Sequence, residues 1–285
     1  MIIAPVLLGV AVAWWTSGLF SPGIFLLALT GSICLHLAAN GIDDVYDFRS
    51  GTDGVAERAF PPDAPGWKPV ARGEVTIGQA VAVSYLFYGF SFMVAVSLSL
   101  IVGWIALAIA LPAILLSYFY TAPPLSLDYR GLGLGELSVF FTFGPIPALG
   151  AYYVMTRSLS IIPAIIAVPA GLLTTGVLVS HDLIYCDIYM ESGKKSLTVL
   201  LGRRHATLLS TLLPVTAYAL LLFLVAARLV PPLSLLALAA LPAFVKFANT
   251  GRHELDPPRY GSRTKIVFIH SVLFTLLMAA GFILS

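Results

Sequence analysis

The spacing of long apolar runs is the feature that most constrains this chain. Nine runs of roughly 20 residues, the length that crosses a hydrocarbon core about 30 Å thick, are separated by polar segments. Lipid offers no water to exposed amides, so each run is predicted to be helical. The sequence therefore predicts an all-α, polytopic membrane protein with one domain over residues 1–285. Its nine transmembrane helices are predicted at 2–20, 23–42, 77–98, 100–121, 134–155, 161–185, 206–227, 232–247 and 264–284.

The composition supports a membrane location. Charged residues make up 11% of the chain and hydrophobic residues 59%, whereas soluble domains contain about 25% charged residues. We therefore expect the lipid bilayer as a partner and no nucleic acid. The first apolar run has no basic segment before it, so we interpret it as a retained helix and not as a cleaved signal. The two cysteines imply no disulfide framework.

The loops between the predicted spans differ in charge on the two membrane faces. One face carries only Arg157 and Arg228, and the other carries every other lysine and arginine and all 14 acidic residues. The positive-inside rule makes the charged face cytoplasmic, with the N-terminus inside and the C-terminus outside. That rule does not govern acidic residues, so their asymmetry favours an active site on the cytoplasmic face, under cap loops at about 43–76 and 186–205. A transporter, the non-enzyme alternative, usually needs ionisable groups near the bilayer midplane.

The second apolar run leads into an acidic cluster. Asn40, Asp43, Asp44 and Asp47 are spaced i, i+3, i+4, i+7, which places them on one face if the helix continues to Asp47. Carboxylates so close repel one another, and Mg²⁺, which is bound by one or two carboxylates plus substrate phosphates, would relieve that repulsion. The alternative is a solvated helix end. The membrane boundary favours the metal site.

Basic residues accompany this cluster. Lys68 and Arg72 follow it on the same predicted face. Cations beside a bound metal are what a diphosphate leaving group requires. The pair is therefore predicted to bind the substrate.

A second acidic segment follows the sixth run. It contains Asp182, Asp187 and Glu191, and the last two are spaced i, i+4. Lys194 and Lys195 come directly after them and are predicted to hold diphosphate oxygens. Two acidic helix ends that face each other across a cleft would form a clamp for a magnesium diphosphate.

The two acidic segments resemble each other. With one deletion, residues 44–51 and 187–193 align as Asp, apolar, Tyr, then Ser-Gly, and four predicted spans separate them. This spacing indicates a duplicated four-helix unit. His181 lies just before the second segment. It is either a catalytic residue or a polar residue whose hydrogen bonds are satisfied at a helix end.

Several stretches together carry a resemblance to a known family. They are Asn40 to Asp53, Lys68 to Gly73, Tyr120 to Gly133 with Glu136, Gly144-Pro145, and Gly193 to Gly202. These motifs resemble the UbiA superfamily of intramembrane aromatic prenyltransferases. Among its branches they are most similar to the 1,4-dihydroxy-2-naphthoate polyprenyltransferases of menaquinone synthesis. The resemblance implies a nine-helix bundle around a central cavity, Mg²⁺ as cofactor, a polyprenyl diphosphate donor and an aromatic acceptor.

The residue patterns and the resemblance together predict the site residues. The predicted catalytic residues are Asp44, Asp47, Tyr120, Asp182 and Asp187. The predicted metal ligands are Asp44, Asp47, Asp182, Asp187 and Glu191. The predicted substrate-binding residues are Asn40, Asp43, Lys68, Arg72, Arg130, Tyr185, Lys194 and Lys195. This chain departs from the family at the second motif, because Tyr185 and Tyr189 stand where the resemblance leads us to expect aspartates.

The implied reaction is an electrophilic alkylation. The allylic C–O bond ionises, and an electron-rich aromatic carbon captures the cation; for a dihydroxynaphthoate acceptor, attack is coupled to loss of the carboxylate. Apolar walls would hold the tail and exclude water, and Tyr120 would stabilise the cation through its ring. Three alternatives remain open at this point. They are another acceptor, such as a hydroxybenzoate, a porphyrinoid or a glycerophosphate lipid; a CDP-alcohol phosphotransferase; and a membrane transporter.

Overall fold

The regular structure of this protein is helical throughout the part that the structure describes, as predicted. The computed structural model describes residues 1–59, 68–250 and 257–285, so residues 60–67 of the first predicted cap loop lie outside it. The α-helices, in chain order, are α1 Ile3–Ser17, α2 Pro22–Arg49, α3 Thr52–Ala59, α4 Ile77–Val102, α5 Ile105–Tyr118, α6 Leu134–Thr142, α7 Pro145–Thr156, α8 Ile162–Ile166, α9 Val168–Asp182, α10 Cys186–Ser192, α11 Leu197–Ala226, α12 Leu241–Thr250 and α13 Pro257–Ile283. Within the same described ranges, two segments are 3₁₀-helical, Leu127–Tyr129 and Pro232–Ala240.

The predicted count of nine spanning helices is not confirmed. Within the described ranges, six segments are long and apolar enough to cross a membrane. Two further apolar helices, α1 and α5, are shorter. The six segments are Pro22–Arg49, Ile77–Val102, Leu134–Thr156, Leu197–Ala226, Pro232–Thr250 and Gly261–Ile283.

Glycine and proline account for the differences from the predicted spans. The boundary between the third and fourth runs, predicted between residues 98 and 100, lies at Gly103, whose φ of 116° ends α4. The fifth run breaks at Gly144, and Pro145 begins α7, where its missing N–H leaves no helical bond unmade. The sixth run divides between α8 and α9, with Pro169 in the first turn of α9.

Two helices extend beyond their predicted apolar runs and bring polar motifs to one end of the bundle. The helix α2 continues past residue 42 to Arg49, so the first acidic cluster is helical as predicted. The helix α11 begins at Leu197, where the Ser196 hydroxyl accepts a hydrogen bond from the Val199 N–H at 3.4 Å. Gly202, with φ 71°, kinks α11 soon after.

Pairwise helix packing builds the apolar body beneath these polar ends. The helix α2 packs on α4, α9 packs on α11, and α1 packs on both α7 and α13. A buried cluster including Leu8, Leu173, Leu221, Phe274 and Met278 joins helices from both ends of the chain. The predicted duplication of a four-helix unit remains a prediction.

The close approach of α1 to α7 yields a stability prediction. A Cβ on Gly9 would overlap the backbone of Ala148. We expect Gly9→Ala to lower the free energy of unfolding by about 1–3 kcal/mol, because relieving the overlap requires one of the two packed helix backbones to shift. Gly89→Ala is the matched control, since a Cβ there meets nothing within 4 Å. Thermal unfolding in detergent measures both variants, and equal melting temperatures for the two would contradict the prediction.

Candidate active site

The C-terminal end of α2 supplies the first carboxylates of the site. Asp44 and Asp47 are buried at this end, and Asp43 lies beside them facing the central cavity. Asp53, in the first turn of α3, is 2% exposed and adds a fourth carboxylate. The predicted spacing therefore does place the acidic side chains of α2 together.

Two lysines bind Asp47 from opposite sides. Lys68 Nζ lies 3.4 Å from Asp47 Oδ2 and 3.1 Å from Asp53 Oδ1. Lys194 Nζ lies 3.3 Å from Asp47 Oδ1 and also pairs with Asp128 Oδ2. The Tyr129 hydroxyl donates a hydrogen bond of 2.6 Å to Asp47 Oδ1. Asp47 is thus the residue on which the two cations converge.

Burial and charge set the protonation of the groups in the loops. Burial alone would lower the pKa of Lys68 and of Lys194, but the surrounding carboxylates outweigh it and raise both pKa values, so both lysines are cations. Burial raises the pKa of Asp53 to about 6 against the opposing effect of Lys68. Burial also raises the pKa of Asp128, again opposed by a lysine, Lys194.

Carboxylate oxygens that accept no hydrogen bond show whether the site suits a divalent cation. Five buried carboxylate oxygens accept no hydrogen bond from any residue that the structure describes. Hard anionic oxygens are the donors that Mg²⁺ prefers, so the donor set fits. No three acidic, histidine or cysteine side chains within the described ranges form a compact metal cage, so phosphate or water oxygens must complete the coordination. The open oxygens are Asp43 Oδ1, Asp44 Oδ1, Asp53 Oδ2, Asp128 Oδ1 and Asp182 Oδ2.

A cavity of about 640 Å³ opens next to these carboxylates. Its polar end is lined by Asn40, Asp43, Tyr120 and His181. Its remaining wall is mostly apolar, with small side chains such as Ala95, Ala110 and Ala113. The cavity therefore joins a charged end to an apolar compartment.

The second acidic segment is divided by the structure. Asp182, at the end of α9, is 2% exposed, and its Oδ1 lies 3.5 Å from His181 Nδ1. Asp187 instead forms an exposed ion pair with Arg203 at 2.7 Å, and Glu191 an exposed pair with Arg58 at 3.6 Å. The expectation that all three carboxylates face the first cluster is corrected here, because arginines hold Asp187 and Glu191 at the surface.

The predicted substrate-binding cations also separate into two groups. Lys68 and Lys194 lie in the site, whereas Lys195 is exposed. Arg72 pairs with Glu57 at 3.3 Å. Arg130 donates hydrogen bonds of 2.6 Å to the carbonyls of Pro124 and Leu125, so it stabilises its own loop.

The tyrosines of the second motif form the wall next to Lys194. The rings of Tyr185 and Tyr189 stack with centroids 5.8 Å apart. Lys194 Nζ lies 4.6 Å from the Tyr189 ring centroid and 4.8 Å from that of Tyr129. These aromatic faces stabilise the buried ammonium by cation–π interaction.

Comparison with known proteins assigns this architecture to a family. The family model described as the UbiA prenyltransferase family matches residues 2–272. The chain belongs to this family. It is therefore a prenyltransferase, and the transporter and CDP-alcohol phosphotransferase alternatives are excluded.

Relatives and solved structures agree with the UbiA assignment along the whole chain. The 2-carboxy-1,4-naphthoquinone phytyltransferase of Synechocystis is 29% identical, over 98% of this chain and 88% of the relative. The 1,4-dihydroxy-2-naphthoate octaprenyltransferase of Escherichia coli is also 29% identical, over 99% and 91%. A UbiA homolog from Aeropyrum pernix shares the fold with a TM-score of 0.73 at 17% identity, covering 99% of this chain and 97% of that one. A UbiA homolog from Archaeoglobus fulgidus bound to DMAPP and Mg²⁺ has a TM-score of 0.65 at 16% identity, over 98% and 95%.

Besides Asp53, which pairs with Lys68, and Tyr189, whose ring contacts Lys194, three polar residues of this UbiA-family site were not among the predicted site residues. Asp128 and Tyr129 contact Lys194 and Asp47, respectively, and Glu136 Oε1 accepts the Leu197 N–H at 3.1 Å. The sequence could have pointed to these three residues only through their position, in or beside the loop between the fourth and fifth runs, on the charged face. That position places them near the site but gives no direction for their side chains.

Proposed function

We propose that this chain transfers a polyprenyl group from an allylic polyprenyl diphosphate to 1,4-dihydroxy-2-naphthoate, as in menaquinone synthesis, with Mg²⁺ as cofactor. The observation that carries the proposal is the buried carboxylate–lysine cluster at the polar end of an apolar cavity. The naphthoate and naphthoquinone acceptors in the names of the relatives support the choice of acceptor.

The chain's own residues account for donor binding. Asp43, Asp44 and Asp53 have open oxygens and would hold Mg²⁺, together with phosphate oxygens. Bound there, Mg²⁺ supplies positive charge to the diphosphate leaving group. Lys68 and Lys194 are positioned to add further positive charge as the C–O bond breaks.

The cavity accounts for the second half of the reaction. Its apolar wall binds the prenyl tail and keeps water from the allylic cation, which would otherwise be quenched to an alcohol. Tyr120 lines the polar end, where its ring can face the reacting carbon. The acceptor carbon then forms a C–C bond to the prenyl group as the acceptor loses its carboxylate.

A panel of acceptors tests the proposal. The purified full chain in detergent with Mg²⁺ and radiolabelled prenyl diphosphate is offered dihydroxynaphthoate, hydroxybenzoate, a porphyrinoid or a glycerophosphate lipid. We expect product with dihydroxynaphthoate alone and its loss when EDTA removes the metal. Product with a different acceptor only would overturn the choice of substrate, and full activity in EDTA would overturn the choice of cofactor.

The charge asymmetry of the loops supports a cytoplasmic active site, with the N-terminus inside and the C-terminus outside. The two natural cysteines are buried and can be replaced by serine to give a background without thiols. On intact cells we expect an impermeant maleimide to label Ser158→Cys but not Glu74→Cys, and inside-out vesicles to give the reverse. Labelling of Glu74→Cys on intact cells would contradict this orientation.

A further inference from the structure

A histidine lies in the middle of the apolar span that leads to the first acidic cluster. His36 lies on α2, seven residues before Asp43, and it lines the central cavity. Asn40, one turn later on the same face of α2, lines the cavity as well. An ionisable side chain inside a membrane span is costly, and one that faces an internal cavity marks a functional site by default. The position of His36 therefore indicates a role in the cavity.

His36 has a ring contact but no hydrogen bond within the part of the chain that the structure describes. Its imidazole packs against the Phe143 ring, with centroids 5.3 Å apart and an interplanar angle of 86°. The three other histidines that the structure describes each have a polar partner. These partners are Asp182 for His181, the Leu201 carbonyl for His205 and the Tyr218 hydroxyl for His270. The half-buried ring of His36 is thus held by Phe143, and its nitrogens are available to a bound molecule.

Four hydroxyl groups of the same cavity wall are satisfied by the protein. Each donates a hydrogen bond to a backbone carbonyl: Ser32 to Ala28 at 2.9 Å, Ser138 to Leu116 at 3.3 Å, Thr142 to Ser138 at 2.8 Å and Thr174 to Ala170 at 3.0 Å. The protons of these hydroxyls are therefore not offered to a bound molecule. An uncharged imidazole, in either tautomer, offers one nitrogen that accepts and one N–H that donates.

The depth of His36 in the cavity decides which substrate it meets. Asp43, at the diphosphate end, lies about 10 Å further along the axis of α2, at 1.5 Å per residue. The prenyl tail is a hydrocarbon and offers an imidazole nothing to bind. A two-ring aromatic acceptor placed beside the allylic carbon fills this span, and it carries hydroxyl groups. The acceptor is therefore the substrate that His36 contacts.

The two hydroxyl groups of dihydroxynaphthoate differ in their need for a partner. The 1-hydroxyl lies beside the carboxylate and donates its proton to that group within the molecule. The 4-hydroxyl has no acceptor of its own. Buried in an apolar cavity without a partner, it would lose its hydrogen bond to water and weaken binding. A ring nitrogen of His36 would replace that bond.

We propose that His36 recognises the aromatic acceptor by accepting a hydrogen bond from its 4-hydroxyl group. The proposal rests on the proposed function, which supplies the acceptor. The end of α2 then holds the diphosphate and the middle of α2 holds the acceptor. One helix thereby sets the distance between the two reactants, as an alkylation between two bound molecules requires.

Separate KM values for the two substrates test the proposal. His36→Phe keeps an aromatic ring beside Phe143 but has no hydrogen-bonding atom. We expect it to raise the acceptor KM about 10-fold and to leave the donor KM unchanged. His36→Gln restores a side chain that accepts a hydrogen bond and is expected to recover part of the acceptor affinity. His205→Phe is the control, because His205 is exposed on α11, and it is expected to keep both KM values.

An analogue without the 4-hydroxyl separates recognition from a general change of the cavity. We expect 1-hydroxy-2-naphthoate, used as a competitive inhibitor, to have the same inhibition constant against the natural chain and His36→Phe. An inhibition constant that rises together with the acceptor KM would overturn the proposal, and so would an unchanged acceptor KM in His36→Phe. Both results leave the proposed function intact, whereas no product from the natural chain with dihydroxynaphthoate would remove it together with this proposal. Circular dichroism checks folding, and His36→Leu replaces His36→Phe if the larger ring prevents folding.

Discussion

We expect Asp47→Asn to lower kcat/KM for prenyl transfer by about 10²–10³-fold, the usual effect of losing one strong electrostatic contact in a transition state. Asp47 receives Lys68 on one oxygen, and Lys194 and the Tyr129 hydroxyl on the other. Asparagine keeps the shape but carries no charge, and its amide group repels one of the two ammonium groups. Each lysine then keeps only its second carboxylate, Asp53 for Lys68 and Asp128 for Lys194, so both are held less firmly beside the diphosphate.

Steady-state assays of prenyl transfer in detergent check this expectation. Glu57→Gln is the control, because it removes a carboxylate from the same end of the bundle at a residue that pairs with Arg72 near the surface. It is expected to keep nearly natural activity. If Asp47→Asn folds normally and turns over at the natural rate, Asp47 does not organise the site.

Helix periodicity and hydrophobic length predicted most of the fold but not the breaks within the spans. An apolar run predicts burial in lipid whether or not its helix is continuous. The Gly144-Pro145 pair is a local signal for a helix break, but the requirement for glycine at 144 comes from tertiary packing, since a Cβ there would lie 2.7 Å from Gly171 on α9. Such a contact between distant residues has no local signal in the sequence.

The site was predictable where one helix carries the pattern. Asp43, Asp44 and Asp47 share a face of α2, and the spacing alone gives this result. The helix α10 is only seven residues long, and its spacing could not tell whether Asp187 points to the site or to Arg203. Asp128 lies on a turn between helices, and the direction of its side chain is set by its contact with Lys194, which is distant in sequence.

Lys194 gives the prediction with the largest expected effect on stability. It is 2% exposed, and it bridges Asp47 at the end of α2 and Asp128 in the 3₁₀ turn. We expect Lys194→Met to lower the free energy of unfolding by about 3–5 kcal/mol, because two buried carboxylates then face each other without the cation between them. The same substitution removes positive charge from the diphosphate site, so prenyl transfer falls as well.

Denaturant titration in mixed micelles measures the loss of stability, and Lys195→Met is the control because Lys195 is the exposed neighbour. The double variant Lys194→Met/Asp128→Asn removes the cation and one of its anions together. Since the remaining Asp47 still accepts from Lys68 and Tyr129, we expect the double variant to be destabilised by less than the sum of the two single variants. Additive effects would show that Lys194 and Asp128 are not coupled, and a stability equal to that of Lys195→Met would show that the bridge between α2 and the 3₁₀ turn contributes nothing to the fold.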